Sequence, residues 1–224
     1  MTLNEISYNL LELNKAGKAT SDSMPTLSQI KFMIRYYRAL LVRRDINRNT
    51  FKTETLKQPL GCLELESVDI AECCEIALGC NILRTIKTIP EPIRLTDGDA
   101  LWVFSLDGRS VINPINFDMV KYIAGNKFTY NSVYWFRRNG RIYLVSGGDR
   151  VNTIKYIRPF IIAADPIKAS RLMECDENPC ITDSSEYPIP ADMVQNITQS
   201  ILSGEFKFMA GISEDNTNDS QDNK

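Results

Sequence analysis

The stretch YPIPADMVQNITQSILSGEFKF, residues 187–208, decides how the chain is read, because it is a helical pattern at the far end of a sequence whose middle alternates like strands. Pro190 suits the first helical turn, where its missing N–H has no partner to lose, and Asp192 places a negative charge at the positive end of the helix dipole. Met193, Val194, Ile197, Ile201 and Leu202 then recur at helical spacing, while Gln195, Asn196, Thr198 and Gln199 fill the other side. Such a face requires a partner. Gly204 weakens or ends the helix, which leaves two readings for Phe206, Phe208 and Met209: an extension of the apolar face, or a separate anchor.

Working outward, residues 3–16 carry Leu3, Ile6, Leu10 and Leu13 at spacings of three and four, the mark of a first helix. AGKATSDSMP, residues 16–25, is small and polar like a connector, and Pro25 precedes a second helix over about residues 26–45. Its apolar stripe is Leu27, Ile30, Ile34, Tyr37 and Leu41, and its polar stripe is Ser28, Lys31, Arg35 and Arg38. From Phe51 to about Asp165 the period becomes alternating. Two hairpins stand out there. ALWVFSLDGRSVIN, residues 100–113, turns at Asp107–Gly108, and SVYWFRRNGRIYLVS, residues 132–146, turns at Asn139–Gly140. A short helix over 118–124, ended by Gly125, is expected between them.

The order helix, helix, sheet, helix suggests an α+β fold. Three amphipathic stripes are buried most economically if both chain ends meet as a small helical bundle, with a hairpin-rich antiparallel β section inserted between them. The expected divisions are N-terminal bundle helices 1–48, the β-rich section 49–165, an irregular return segment 166–186, the C-terminal bundle helix 187–208 and a polar acidic tail 209–224. The alternative is that another subunit buries the last helix. The tail AGISEDNTNDSQDNK has the composition of a segment ordered only by a partner.

With 43% hydrophobic and 24% charged residues among 224, the chain can bury a sizeable core. Its net charge of -2 gives no global pull toward nucleic acid or membrane. No apolar run reaches the roughly 18–20 residues of a membrane span, and MTLNEISYNLLELNK does not read as a signal peptide, so a reducing, cytoplasm-like site of synthesis is expected. The absence of histidine removes Ser–His and Cys–His nucleophile pairs, His-ligated metals and His general bases. No GxxxxGK[ST] loop or GxGxxG turn is present. Glu64/Glu66 and Asp97/Asp99 read as solvated strand and turn positions rather than acid–base pairs. Cys62, Cys73, Cys74, Cys80, Cys175 and Cys180 lack zinc-site spacing and read as free, mostly buried thiols. No catalytic residue, metal or cofactor is expected.

Lys31, Arg35 and Arg38, continued by Arg43, Arg44 and Arg48, make a basic stripe that reads either as a solvated helix face or as a contact with a polyanion, with Tyr36 and Tyr37 available for stacking. A stand-alone nucleic-acid-binding module is therefore the alternative function.

Four segments carry a family likeness: MTLNEISYNLLEL (1–13), CLELESVDIAECCEIALGCNILRTIKTIPEPI (62–93), KYIRPFIIAADP (155–166) and YPIPADMVQNITQSILSGEF (187–206). Together they resemble ring and head–tail connector proteins of crAss-like bacteriophages, short-tailed viruses of gut Bacteroidales. The resemblance implies a non-enzymatic structural virion protein of the tail or neck, made in the bacterial cytoplasm. It further implies a tail adaptor, a homo-oligomeric ring, twelve-fold by that likeness, below the portal and around the DNA path. Its partners would be the portal protein, adjacent tail rings and DNA in non-specific passage, with no membrane. On that reading Lys31, Arg35 and Arg38 face a DNA channel or a partner, and Phe206, Phe208 and Met209 anchor a neighbouring subunit.

Overall fold

A computed structural model describes residues 1–16, 25–48, 53–68, 82–123, 125, 127–172 and 181–206. The Cys73, Cys74, Cys80, Cys175 and Cys180 thiols, Phe208, Met209 and the acidic tail lie outside them. The chain is α+β and divides into two compact units, one from residues 1–52 with 181–224 and one from 53–180.

The first unit contains α1 (Leu3–Ala16), α2 (Leu27–Asn47) and the C-terminal α4 (Ala191–Ile201), with α3 belonging to the second unit. Thr26 starts α2 with a capping box: its hydroxyl accepts from the Gln29 N–H while the Gln29 side chain accepts from the Thr26 N–H. Pro190 is the residue just before α4, and Asp192 sits in its first turn. Both α1 and α4 pack on α2. Leu3, Ile6, Leu10, Ile30, Ile34, Met193, Ile197 and Ile201 are buried as their spacing requires, whereas Leu13, expected on the same stripe, is exposed at the end of α1, and Leu27, Tyr37, Val194 and Leu202 are half-buried at the stripe edges. The helical path past Ile201 widens into a π-turn over Leu202–Phe206, which carries the chain through Gly204 and buries Phe206.

In the second unit, β1 (Gln58–Pro59), β2 (Leu63–Ser67), β3 (Ile82–Thr85), β6 (Leu101–Ser105), β7 (Val111–Pro114), β8 (Tyr134–Arg138), β9 (Arg141–Val145) and β10 (Tyr156–Ile161) form one sheet. β4 (Arg94–Leu95) and β5 (Gly98–Asp99) make a separate ribbon. α3 (Pro166–Ser170) follows β10 and is capped by the Asp165 carboxylate. Among the described residues, β10, β2, β3, β9, β8, β7 and β6 pair in that order, and β6 pairs back to β10, so seven strands close a barrel. Each of the seven contributes to one cluster that includes Leu63, Leu83, Val103, Ile112, Trp135, Leu144 and Ile157, so this cluster is the barrel interior.

β1 and β2 lie along the same edge of β10 with a slip of one residue: three residues separate Pro59 from Leu63, but two separate their partners Phe160 and Ile157. Gly61, at φ 72°, absorbs this bulge, and Pro159 sits opposite the interruption, where the ladder asks less of a missing N–H.

The antiparallel expectation fails at one joint. β7 and β8 run parallel, Asn113 beside Tyr134. A hairpin cannot make that pairing; the chain needs a crossover, and residues 115–133 supply it. The short helix expected over 118–124 is a 3-10 segment, Phe117–Tyr122, within this crossover. Its Val120, with Ile123, covers a second cluster on the outer face of β3, β8 and β9, where Phe136 and Tyr143 stack at 5.1 Å.

The Asn139–Gly140 turn has both residues at positive φ, 50° and 71°, and joins β8 to β9 in the register that pairs Arg138 with Arg141. At the other hairpin only Gly108 is at positive φ. The Asp107 carboxylate instead takes the Ser105 hydroxyl and the Arg109 N–H, making a longer capped loop between β6 and β7.

Candidate assembly surfaces

On α2 the side facing α1 and α4 is built from Ile30, Ile34, Arg38, Leu41 and Val42. At about 100° per residue, Phe32, Tyr36 and Leu40 lie on the opposite side. They remain 68%, 52% and 41% exposed. The Phe32 and Tyr36 rings stack at 6.5 Å with planes 14° apart, and Tyr37 meets Tyr36 edge-on at 5.5 Å. The Tyr37 hydroxyl donates to the Glu205 carboxylate at 3.2 Å. Burial, then that bond, raises its pKa above the ordinary tyrosine value. Arg43, Arg44 and Arg48 are exposed, and Arg43 prolongs the stripe with positive charge. The outward side of α1 presents Tyr8 between Glu5 and Glu12, all exposed.

The three basic residues singled out in the sequence do not share one environment. Lys31 donates to Asp183 at 2.6 Å, and Arg35 lies 3.6 Å from the other oxygen of the same carboxylate. The Asp183 carbonyl also accepts from the Asn4 N–H at 3.1 Å, so one residue ties the return segment to both N-terminal helices. Arg38 is 0% exposed, which corrects its expected place facing a channel or partner. Its Nε donates to the Pro188 carbonyl at 3.0 Å, and its guanidinium lies 5.7 Å from the centre of the buried Tyr187 ring. The reason is helical: Arg38 continues the row of Ile30 and Ile34 at steps of four. Phe206, expected as an intersubunit anchor, is likewise buried in its own unit.

Phe32 and Leu40 carry no role in the sequence reading. Their signal was present as a second apolar row, 32, 36 and 40, offset from the row that makes the core.

The barrel unit has its own surface features. An apolar groove of about 910 Å³ is lined by Leu106, Val111, Ile112, Val133, Ile154 and Tyr156. The carboxylate at its rim, Asp107, caps the β6–β7 loop, and the Ser105 hydroxyl and then the Arg109 N–H hold it below the usual carboxylate pKa. Glu66 bonds Arg84 at 2.8 Å and Arg141 at 3.1 Å, linking β2 to β3 and β9, and Asp99 bonds Arg137 at 2.6 Å, tying the β4–β5 ribbon to β8. Cys62 is a free thiol but exposed, not buried as expected; the other five cysteines lie outside the described residues. No described helix is long and apolar enough to cross a membrane, and the described residues hold no cluster of three or more metal-ligating side chains.

An apolar, aromatic stripe left on the outside of a helix whose other face is fully packed is the property of a protein that assembles. The family described as phage tail ring protein 2 matches residues 5–224. The chain belongs to that family. The ring protein is thus a structural component of a crAss-like phage virion, built by assembly with other tail proteins, and its family is not one of known enzymes. No curated protein matches the sequence.

Proposed function

We propose that this ring protein is a tail adaptor: a closed homo-oligomer in the neck of a short-tailed phage, stacked below the portal, with the DNA passing through its centre. The observation that carries the reading is the exposed Phe32–Tyr36–Leu40 stripe on α2, an apolar surface for which the chain itself supplies no cover among the described residues. In this reading the helices act as a small bundle that presents the assembly surface. The barrel, stiffened by closure and by the Glu66 ion pairs, acts as the rigid spacer of each copy. Twelve copies, contact with the portal and adjacent rings, and non-specific passage of DNA complete the proposal. Lys31 and Arg35 keep part of their surface open beside Asp183 and are the proposed channel- or partner-facing cations. Phe208 and Met209 remain the proposed intersubunit anchor.

The alternative, a stand-alone nucleic-acid binder, loses support from the same geometry. Of its six cations, Arg38 is buried and Lys31 and Arg35 are engaged by Asp183. Cryo-electron microscopy of the virion neck tests the proposal: a ring of this chain directly below the portal is expected. A position elsewhere in the tail would reject the adaptor placement, and titration with short DNA giving salt-sensitive binding by the monomer would favour the alternative.

A further inference from the structure

A closed ring needs two different complementary surfaces on every copy, because an interface that repeats by rotation joins unlike patches. The helical unit offers such a pair. The outward face of α2 is apolar through Phe32, Tyr36 and Leu40 and then basic at Arg43, which falls on the same line of the helix. The outward face of α1 carries Glu5, Tyr8 and Glu12 at spacings of three and four, two carboxylates around an exposed aromatic; Glu5 accepts from the Thr2 N–H and Glu12 pairs with Lys15 at 2.7 Å at the exposed surface, where an arginine of a second copy would compete with that lysine. The inner sides of these helices are spent on each other, so both outer faces are available in one copy at once.

We infer that the α2 stripe of one copy docks on the Glu5–Tyr8–Glu12 face of α1 in the next copy, and that this joint repeats around the ring. The inference rests on the ring reading above. Symmetry and charge both favour it over α2 meeting α2: that contact is self-complementary, closes at two copies, and leaves the Glu5 and Glu12 carboxylates without a basic partner from the neighbour. Burying Phe32 and Tyr36 supplies the apolar centre, and Arg43 against Glu5 or Glu12 supplies register and direction, the usual division between the middle and the rim of an interface.

The test places a photo-crosslinking p-benzoylphenylalanine at Tyr36 of the full chain and irradiates assembled virions. The expected product is a covalent dimer whose junction maps by mass spectrometry to residues 3–16 of a second copy. A junction to α2 of the second copy, to another virion protein, or no crosslink overturns the inference. Copy number is measured on the same particles: several copies without the α1 junction defeat the joint alone, whereas absence from particles, or one copy, defeats the ring reading. Charge reversal gives the second arm. Arg43→Glu or Glu12→Arg alone is expected to lower dimer yield about fivefold, the weight of roughly 1 kcal/mol, and the two together to restore it. Unchanged yields in both single variants overturn the charge pairing.

Discussion

The Arg38 guanidinium lies 5.7 Å from the centre of the Tyr187 ring, with both side chains withdrawn from water. The contact joins α2 to the segment that leads into α4, and the Arg38 Nε bond to the Pro188 carbonyl fixes the same segment one residue later. A charge placed here is tolerated because it meets a π-face and a carbonyl rather than hydrocarbon alone. Arg38→Met keeps the length and loses both contacts, so we expect destabilisation by about 2–4 kcal/mol. Urea unfolding measures it. A loss under ~0.5 kcal/mol would show that the arginine is no more than a spacer.

The second prediction concerns Gly140. A Cβ there meets nothing closer than 3.9 Å, so space is not the obstacle; the backbone at φ 71° is. Gly140→Ala should therefore cost about 1–2 kcal/mol from left-handed strain alone, and Gly140→Asn noticeably less, since Asn tolerates that region. Equal losses for Ala and Asn would point to packing instead.

Much of this was legible in the sequence, and the pattern of what was not is physical. The Asn139–Gly140 turn shows itself because only a few residue types accept two successive positive φ values. The α4 stripe shows itself because Met193, Ile197 and Ile201 share one face and polar residues hold the other. Arg38 misleads because residue type speaks against burial while its position beside Ile30 and Ile34 speaks for it; position prevails when a carbonyl and a ring are waiting. The Phe32 row is hidden by a different effect: a helix with apolar rows on two sides has little net amphipathicity to detect. Barrel closure depends on the β6–β10 pairing and on the parallel β7–β8 joint, contacts between distant segments that no local period encodes.

The third prediction is a pH dependence. Glu66 is held below the ordinary carboxylate value of 4.5 chiefly by its hydrogen bond from Arg84, with the Arg84 and Arg141 charges adding to it. A carboxylate with a lowered folded pKa stabilises the fold above its unfolded pKa, and that contribution disappears as pH falls through the folded one. Wild type should thus exceed Glu66→Gln in stability at neutral pH, and the gap should close at pH values below the usual carboxylate range. Because the group is partly exposed, added salt should narrow the gap as well. A gap independent of pH, measured by chemical denaturation from pH 7 to pH 3, would assign the effect to shape rather than charge.

The last prediction separates core from tail at the C-terminus. Phe206 is buried and Glu205 accepts the Tyr37 hydroxyl bond, so the chain is part of the helical unit at least to residue 206. Truncation after Ser203 removes both, and losing a buried phenylalanine alone costs about 3–5 kcal/mol. That variant should be destabilised, with a lower melting temperature and a weakened helical circular dichroism signal. Truncation after Phe206 keeps those contacts and removes Phe208, Met209 and the acidic stretch, and it should melt like the full chain. If residues 207–224 anchor the copy to a neighbour, the second truncation should enter virions poorly despite its intact fold, which quantitative mass spectrometry of purified particles would show. Normal incorporation would make that stretch dispensable for assembly. A loss of melting temperature in the second truncation would instead mean that Phe208 or Met209 continues the apolar face of α4 beyond Phe206, the other reading that the spacing of these residues allows.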